Sequence, residues 1–584
     1  MPPPRLTQAC GVTRETQTQT QTQTQTQVAI VGGGPVGLVL VLFLDFHGAK
    51  CAIFNTEPES RWHPKGNGQN ARTMEHYRRL GFADEVRRLG LPGNHPFDQA
   101  YFTRLSSHEI YRFPMPSRDE RIAMRVQMPV TDQLPEPMFH VNQMYVERYL
   151  LERVCRSPSI DVRFGWQVDW FTQNEEGVRL HARKTGGADE IVCSAEYAAA
   201  CDGGNGFIRK TLGIAYEGDV QKKDAYWAGQ FFSIYMRIPE LYPKFVGHRR
   251  GWMYWAINPD PHTRGVIFSL NGADEFMMLI KPERGHSGVD TAKVADWLKR
   301  TIGADIAIEI LAYHPWNAGQ ALVAERYRAG RVFIAGDAAH LFTPTGGFGM
   351  NTGIDDSSNL AWKLAAVLHG WGGPRLLDSY EAERKPIGRR NTGASRQYAS
   401  RMRDAVVPDN IEAEGPAGDA ARAEAATMTY VRYNHFNRAE DVDAVGVQIG
   451  GRYDGSPVII ADGTPPPDVL PETYDEYVPS GLPGGRAPHL WLDDRRVMGS
   501  SLFDQFGRGF TLLRFDSSAI DTAPLERAAA ARDIPLKVLD VTLPQARELY
   551  GRALALIRPD QYIAWRGDRL PDDVDALLVR VTGL

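Results

Sequence analysis

A glycine motif near the N-terminus constrains the fold of this chain more than any other feature. It reads Gly32-x-Gly34-x-x-Gly37, directly after one short apolar run, residues 28–31, and before a second, residues 38–46. Glycines at this spacing permit a tight turn from a strand into a helix, and they let backbone N–H groups approach a pyrophosphate at the helix N-terminus. The motif predicts a doubly wound parallel sheet that binds a dinucleotide.

The residue expected to bind ribose departs from the usual pattern. A second strand is predicted at residues 51–54, and an acidic residue normally follows such a strand, but Asn55 occupies that position and Glu57 comes two residues later. An amide can both donate to and accept from ribose hydroxyls. We therefore predict that Asn55 makes the ribose contact.

A second glycine-rich segment follows the strand predicted at residues 331–335. That strand leads into Gly336-Asp337 and then into the sequence PTGGFGMN at 344–351. A carboxylate at the mouth of a strand can bind sugar-alcohol hydroxyls, and glycines let backbone N–H groups approach a flat ring. The helix that begins nearby would direct its positive end toward that ring, which stabilises negative charge developed on reduction.

Composition argues against several other classes of protein. The 584 residues carry 66 Lys and Arg against 71 Asp and Glu, so the net charge of -5 offers no general attraction to nucleic acid. The most apolar stretch, residues 28–44, is interrupted by four glycines and Pro35, which favours a buried core over a membrane span. The five cysteines lack the spacing of a metal site, and a reducing cytoplasm is the simplest location. No metal, membrane or nucleic-acid site is expected.

The chain divides into three predicted parts. Residues 1–27 are polar and contain a Thr-Gln repeat, which predicts a disordered tail. Residues 28–430 are predicted to form the dinucleotide-binding domain, with an antiparallel sheet inserted at about 214–320 and a helical segment after it. Residues 431–584 are predicted to form a final α/β unit, reached through a stretch rich in Gly and Pro.

Three segments resemble the FAD-dependent aromatic hydroxylases, the family of para-hydroxybenzoate hydroxylase, phenol hydroxylase and chlorophenol monooxygenase. They are GGGPVG at 32–37, CDGGNGFIRKTLG at 201–213 and RVFIAGDAAHLFTPTGGFGMNTGIDDSSNLAWKLAAVL at 331–368. The resemblance implies an α/β fold with a Rossmann-type FAD-binding domain, an inserted antiparallel-sheet substrate domain, a helical segment and a C-terminal thioredoxin-like domain. No cysteine follows Cys201, so that last domain has no dithiol.

The resemblance also implies which residues contact FAD. Asp202 and Gly203 belong to a motif that the family uses for FAD and for the nicotinamide nucleotide, although Gly206 stands where the family usually has Ser. Arg72 and Gln143 match additional FAD contacts of the family.

The remaining implied contacts come from the second glycine-rich segment. Asp337 would bind the ribityl or pyrophosphate region of FAD, and residues 347–351 would line the isoalloxazine ring. The full set of predicted cofactor contacts is Gly32, Gly34, Pro35, Gly37, Asn55, Arg72, Gln143, Asp202, Gly203, Asp337, Gly347, Gly349, Met350 and Asn351.

The chemistry that the resemblance implies is hydroxylation of a phenolic ring. FAD is reduced by NADH or NADPH and reacts with O2, and the flavin C4a-hydroperoxide transfers one oxygen atom to the ring, ortho to an existing hydroxyl. The predicted catalytic residues are Tyr254, Asn67 and Pro344. Tyr254 could relay the phenolic proton, whereas Asn67 stands where phenol hydroxylase has a catalytic carboxylate and cannot act as a base.

Two alternatives stay open. The first keeps FAD and oxygen but oxidises a larger polyketide-like aromatic, which a wide open cleft would favour over a simple phenol. The second is a flavin-binding scaffold without catalysis, suggested by the departures at Asn55, Asn67 and Gly206. The expected partners are the phenolic substrate, O2, NADH or NADPH and a second copy of the chain in a homodimer.

Overall fold

The computed structural model of the protein describes residues 22–125, 127–220, 229–247, 249–281, 291–318, 320–401, 407–434, 444–465, 474, 476–492, 499–515 and 520–584. The strands within these residues are β1 (Thr22–Val31), β2 (Cys51–Asn55), β3 (Gly68–Gln69), β4 (Gln99–Phe102), β5 (Glu109–Phe113), β6 (Phe139–His140), β7 (Ile160–Phe164), β8 (Trp166–Gln173), β9 (Val178–Lys184), β10 (Glu190–Ala200), β11 (Tyr216–Val220), β12 (Gly229–Arg237), β13 (Met253–Ala256), β14 (Gly265–Ser269), β15 (Glu275–Ile280), β16 (Glu309–Ala318), β17 (Gln320–Ala324), β18 (Arg328–Ala329), β19 (Val332–Ile334), β20 (His340–Leu341), β21 (Phe510–Arg514), β22 (Leu536–Asp540), β23 (Leu554–Ile557) and β24 (Ile563–Gly567).

The helices are α1 (Pro35–Phe46), α2 (Ala71–Arg79), α3 (Ala83–Arg87), α4 (Arg118–Arg125), α5 (Gln143–Val154), α6 (Phe207–Thr211), α7 (Thr291–Ile302), α8 (Phe348–Leu368), α9 (Pro374–Arg401), α10 (Pro416–Asn434), α11 (Val445–Ile449), α12 (Ala523–Ala530), α13 (Pro544–Tyr550) and α14 (Val574–Thr582). None of them, in the part of the chain that the structure describes, combines the length and apolar character that a bilayer span requires.

The first sheet has the strand order β18-β19-β10-β1-β2-β7, and the hairpin of β8 and β9 joins it at β10. β1 runs parallel to β2 and β10, and β2 and β10 run parallel to β7 and β19 respectively. The apolar runs of β1 and α1 are buried together in its core, and α8 packs against α1. This arrangement confirms the parallel sheet that the glycine motif predicts.

The Thr-Gln repeat contributes the first half of β1. Thr22 to Thr26 pair in parallel with Ile191 to Ala195 of β10, so the expected tail boundary at residue 27 is wrong. β9 pairs with the other side of the same stretch of β10, which would otherwise leave an unpaired edge. The repeat has a β-branched Thr at every second position, and β-branched residues favour a strand. Residues 1–21 lie outside the described residues.

The second sheet has the order β16-β12-β15-β14-β13-β4-β5. Two of its strands, β4 and β5, come from residues before the predicted insertion at 214–320, and β4 pairs in parallel with β13. At the ends of that range, β11 and β17 form a separate three-stranded sheet with β20 instead. The second sheet therefore draws on two distant parts of the chain, which local strand signals cannot reveal.

The C-terminal unit is a four-stranded sheet of order β22-β21-β23-β24 with α12, α13 and α14. β21 is parallel to β22 and antiparallel to β23, and β24 is antiparallel to β23. The unit packs on the first domain through aromatic contacts, in which Phe510 meets Trp362 of α8 and Trp371 edge-on at 6.1 and 6.2 Å between ring centroids.

Candidate active site

The turn from β1 into α1 is built from close backbone contacts. Gly32 has φ +110°, and a Cβ there would lie 2.3 Å from the Cys201 carbonyl oxygen, while a Cβ on Gly37 would lie 2.0 Å from the Gly32 oxygen. Gly34 is the N-cap of α1 and lacks a side-chain cap, and Pro35 starts the helix. Among the described residues, none beyond its chain neighbours has an atom within 4 Å of the Gly34 Cβ position. The positive end of α1 therefore faces open space, which fits the diphosphate of FAD.

Asn55 shapes this turn through its side chain. Its Oδ1 accepts a hydrogen bond from the Gly33 N–H at 2.9 Å, and its Nδ2 donates to the Glu57 carbonyl at 3.0 Å. Each end of the amide thus has a partner within the protein. The ribose contact stays a prediction, and it would use the capacity that remains on the amide.

Asp202 follows the carboxyl end of β10, beside this turn. One carboxylate oxygen accepts from the Ile208 N–H at 3.1 Å, whereas Oδ1 is buried without a hydrogen-bond partner among the described residues. Burial raises the pKa of Asp202. A Cβ on Gly206 would lie 2.1 Å from Oδ1, so the Ser that the family usually has there would displace this carboxylate. Asp202 Oδ1 therefore fits the role of accepting a hydrogen bond from a hydroxyl group of a bound nucleotide. Gly203, with φ +84°, makes the turn.

Asp337 follows β19 and lies close to the first turn of α1. A Cβ on its neighbour Gly336 would lie 2.9 Å from a methyl carbon of Val36. Asp337 is exposed to solvent although protein is densely packed around it, as expected for a side chain on the wall of a cleft. The surrounding protein raises the pKa of Asp337; nearby His340 opposes the rise most, followed by the two cations Lys65 and Arg61. The position fits the predicted role toward polyol hydroxyls of FAD.

Gln143 fixes the loop that carries those two cations. Its backbone N–H donates to the Gly66 carbonyl at 2.7 Å, and its side-chain amide donates to Glu147 at 2.5 Å. Asn67, the next residue of the loop, accepts a hydrogen bond from the Asn142 amide at 2.6 Å. Both predicted residues therefore hold the loop to the start of α5. The FAD contact of Gln143 and the catalytic role of Asn67 stay predictions.

The loop before α8 opens toward the same cleft. Gly347 has φ +65° as the N-cap of α8, and its N–H donates to the Pro344 carbonyl at 3.1 Å. In the part of the chain that the structure describes, no residue beyond its chain neighbours comes within 4 Å of its Cβ position. Gly349 and Met350 follow in the first turn and are half-buried. A flat ring could approach this backbone without meeting a side chain at Gly347, which fits the isoalloxazine.

Asn351 is buried and holds the loop in place. Its Oδ1 accepts from the Asn70 N–H at 2.9 Å and from the Thr73 hydroxyl at 2.7 Å. Its Nδ2 donates to the carbonyls of Gly68 at 3.0 Å and Gly347 at 2.7 Å. The side chain thus links the α2 N-terminus to the loop through hydrogen bonds. The contact with the flavin ring that is predicted for Asn351 would have to come from its backbone.

Arg72 is held by hydrogen bonds within the protein. Its guanidinium donates to Asp355 at 3.1 Å, to Glu75 at 2.9 Å and, on the C-terminal unit, to the Gln561 side chain and the Asp560 carbonyl, each at 2.7 Å. The side chain is almost fully buried. The prediction that it contacts FAD is wrong in this structure, because these four hydrogen bonds commit it to the domain interface.

A buried network of ion pairs connects α2, α8 and α9. Asp355 accepts from Arg72 and His76, and Arg384 donates to both Asp355 and the adjacent Asp356. Asp356 also accepts from the Gly336 N–H at 3.1 Å. Burial alone would raise the pKa of Asp355, but Arg384, His76 and Arg72 outweigh it and hold the pKa well below its usual range. The paired acids within the apolar sequence of α8 were the signal that sequence reasoning missed.

Tyr254 lies on the wrong face of the second sheet for catalysis. It is fully buried in the core that this face forms with α7, next to Phe102. Its hydroxyl accepts from the Gly251 N–H at 2.6 Å and donates to the Tyr242 hydroxyl at 3.4 Å. Burial raises its pKa well above the ordinary value. The predicted proton relay by Tyr254 is therefore wrong, because no substrate can reach this hydroxyl.

The other face of the sheet carries an open group of aromatic and polar side chains. Trp62, 59% exposed, lies 6.4 Å from the Tyr235 ring, and His63 Nε2 lies 3.0 Å from Ser233 Oγ. The His63 ring meets the exposed His314 ring edge-on at 4.4 Å. Burial, with help from His314 and Lys65, lowers the pKa of His63 to about 4, so it is neutral at pH 7. Sequence reasoning missed Trp62, His63 and His314 in this group, because strand and loop meet only in the fold.

The loop of residues 61–66 joins the two halves of the site. Lys65 is close enough to Asp337 for each charge to affect the other, while His63, two residues earlier, contacts β12 of the second sheet. A molecule held on that face would lie beside the cleft at α1 and the loop before α8. The geometry therefore places a cofactor cleft next to an open aromatic surface.

Comparison with known proteins identifies the family. A model described as FAD binding domain matches residues 25–395, and one described as aromatic-ring hydroxylase, C-terminal, matches residues 480–584. The FAD-dependent monooxygenase apdD of Emericella nidulans is 30% identical over 582 residues, 95% of this chain and 90% of that protein. A putative polyketide hydroxylase of Streptomyces halstedii is 30% identical, covering 92% of each chain.

Solved structures agree with this match. The rebeccamycin biosynthetic enzyme RebC, soaked with chromopyrrolic acid and containing bound 7-carboxy-K252c, superposes with a TM-score of 0.83 at 32% identity, over 96% of this chain and 100% of that one. The clefts at α1, Asp202, Asp337 and Gly347 fit the cofactor named in the family model. The chain belongs to the FAD-dependent aromatic-ring hydroxylases.

Proposed function

We propose that the protein hydroxylates a ring carbon ortho to a phenolic hydroxyl of a large, planar, polyketide-like aromatic, with NADH or NADPH as reductant and O2 as oxidant. The observation that carries this choice over a simple phenol is Trp62, whose indole lies largely exposed beside Tyr235 on the open face of the second sheet. A single-ring phenol needs a closed apolar pocket, whereas an extended ring system can stack on an aromatic surface that remains open.

The apolar floor of this face supports the same substrate class. Trp252, Phe268 and Leu279 are only partly buried although they lie on a central part of the sheet. His140 stacks on Trp252 at 3.9 Å between ring centroids. Together these side chains offer a broad apolar surface, and a flat aromatic that covered it would exclude water from it. Among the relatives, the name polyketide hydroxylase agrees with such a substrate.

The chain's own residues have distinct tasks in this proposal. FAD, when bound, supplies the redox chemistry and oxygen activation. The α1 N-terminus and Gly34 would hold its diphosphate, Asp202 and Asp337 its hydroxyl groups, and the backbone at Gly347 its ring. Neutral His63, held at Ser233 through Nε2, would fix the position of the loop that carries Trp62, and its lowered pKa makes it a poor base. Pro344 keeps its predicted catalytic role.

Substitution of Trp62 tests the substrate class. We expect Trp62→Ala to raise KM for three- and four-ring phenols about tenfold, equivalent to about 1.4 kcal/mol of stacking, with little change in kcat. Trp62→Phe, the matched control, retains a ring and most of the affinity. The measurement is substrate-stimulated NADPH or NADH oxidation, with the hydroxylated product identified by mass spectrometry.

Three other results would contradict the proposal. Best turnover with single-ring phenols, unaffected by Trp62→Ala, would return the assignment to simple phenol hydroxylation. A substrate that is oxidised without gaining an oxygen atom would remove the hydroxylase assignment. An FAD-loaded protein whose reduction no aromatic compound accelerates would favour the non-catalytic scaffold.

Two further assignments belong to this proposal. We infer that the C-terminal unit is thioredoxin-like, supported by its β-α-β-α-β-β-α chain order and its mixed four-stranded sheet. It has no redox role, because no cysteine follows Cys201. The homodimer is likewise proposed, and sedimentation of the FAD-loaded protein tests it.

A further inference from the structure

Hydrogen bonds to two neighbouring residues of α2 join the C-terminal unit to the loop before α8. Gln561 accepts from Arg72 on α2, the next residue Thr73 donates to Asn351 on α8, and Asn351 donates to Gly347, so one step of the path is the covalent link between Arg72 and Thr73. We propose that Arg72 and Gln561 are positioning residues, through which the C-terminal unit sets the position of the loop that lines the isoalloxazine. The inference rests on the proposed FAD cleft and goes beyond it, since it gives the C-terminal unit a task at the flavin.

The first link is made by Gln561, in the turn between β23 and β24. Gln561 has φ +69°, an unfavourable left-handed conformation for a residue other than Gly, Asn or Asp, and it is buried. In this conformation its Oε1 accepts from Arg72 at 2.7 Å, beside the Asp560 carbonyl, which also accepts from Arg72 at 2.7 Å. The turn is therefore strained in a geometry that delivers two acceptors to one guanidinium.

A second contact from the C-terminal side reinforces this link. Arg486 donates to both carboxylate oxygens of Glu75, at 3.1 and 2.5 Å, and Glu75 accepts from Arg72 at 2.9 Å. All three side chains are buried. Because charged groups enclosed by protein are costly to leave unpaired, α2 cannot shift relative to the C-terminal unit without breaking several strong hydrogen bonds.

The second link runs from α2 to the loop before α8. Arg72 and Thr73 are adjacent in the first turn of α2, whose N-cap Asn70 accepts from the Thr73 N–H at 2.8 Å. The Asn70 N–H and the Thr73 hydroxyl both donate to Asn351, which in turn donates to the Gly347 carbonyl at 2.7 Å. A displacement of the α2 N-terminus would therefore move the backbone that faces the flavin ring.

The interface also contains contacts that bypass α2, and these supply a control. Ser456 donates to Glu383 of α9 at 2.6 Å, and Arg558 of the C-terminal unit pairs with the same carboxylate at 2.7 Å. All three residues are buried. Loss of the Ser456 hydroxyl weakens the same interface but removes no hydrogen bond made by Arg72, Thr73 or Asn351.

The test compares Gln561→Asn with Ser456→Ala in the full-length, FAD-loaded protein. Asn tolerates the left-handed backbone but is one methylene too short to reach Arg72. We expect Gln561→Asn to shift the visible absorption bands and the midpoint potential of the flavin and to raise the FAD dissociation constant about fivefold, the equivalent of one lost hydrogen bond. Gln561→Glu, which keeps the reach, should restore the wild-type values. Ser456→Ala should lower the unfolding temperature without changing the flavin spectrum.

Equal flavin spectra and potentials in Gln561→Asn and Ser456→Ala would overturn the proposal. If Gln561→Asn does not fold, Arg486→Lys, which keeps the charge at Glu75 but loses the two-pronged contact, must shift the flavin bands, and an unshifted spectrum overturns the inference. None of these readouts requires turnover, so they separate this inference from the choice of substrate. Failure of the wild type to bind FAD would instead remove the proposed function.

Discussion

The turn into α1 and the open face of the second sheet prepare their ligand sites by different means. In the turn, backbone atoms approach so closely that a Cβ on Gly32 or Gly37 has no room. On the open face, side chains from the loop of residues 61–66, β12 and β16 meet across the fold, as His63 meets Ser233. A backbone site tolerates almost no change at its contact points, whereas a side-chain site can change its ligand without changing the fold.

The largest expected effect comes from adding a single methyl group to the turn. Gly37→Ala would place a Cβ 2.0 Å from the Gly32 carbonyl oxygen, so β1 and α1 would have to separate. We expect FAD affinity to fall by about 100-fold or more, or the folded protein to be lost. Titration of the apoprotein with FAD, followed by flavin fluorescence, measures the affinity, and circular dichroism measures the fold.

Gly34→Ala is the matched control for this comparison. No described residue other than its chain neighbours has an atom within 4 Å of its Cβ position, so the unfolding temperature of the apoprotein should stay close to that of the wild type. FAD affinity should nevertheless fall about tenfold, since the added methyl group occupies space that the diphosphate would use. Unchanged FAD affinity in Gly34→Ala would place the diphosphate elsewhere and break the proposed contrast.

The same difference explains what the sequence could predict. The glycine motif specified β1, α1 and the open N-cap, because glycine spacing is read locally. Tyr254 was misassigned, since both faces of its strand are buried and only the packing of α7 tells them apart. Arg72 was misassigned because its partner Gln561 lies 489 residues away in the chain. Side-chain sites depend on such distant partners, and no local pattern records them.

Acid should distinguish the two regions through their buried titratable groups. Burial and the charge of Arg121 lower the pKa of His140, which stacks on Trp252 of the second sheet, to about 3. The unfolded chain binds a proton at about pH 6.5 and the folded one does not, so this histidine costs stability as the pH falls from 6.5 toward 3, by about 1.4 kcal/mol per unit. Asp355 and Asp356 have lowered pKa values, so their contribution is lost only below about pH 3.9.

His140→Phe isolates the histidine contribution, because Phe keeps a ring against Trp252 but does not titrate. Between pH 7.5 and 5, the wild type should lose about 2 kcal/mol more unfolding free energy than the variant, measured by urea denaturation at each pH. His47, whose pKa is also lowered to about 3, titrates equally in both proteins and cancels. Parallel pH profiles would mean that His140 is not held neutral by the fold.

The smallest effect is expected at Tyr254, where the sequence placed the proton relay. Tyr254→Phe removes the acceptor of the Gly251 N–H and should lower the unfolding free energy by about 1 to 2 kcal/mol, with kcat, KM and their pH dependence unchanged. Tyr242→Phe, which removes a hydroxyl that donates to Ser269 at 2.8 Å in the same core, should behave alike. Thermal unfolding and steady-state kinetics on one preparation separate the two effects. A variant that binds FAD and substrate normally but turns over slowly would return Tyr254 to the active site and would show that both faces of the second sheet serve the reaction.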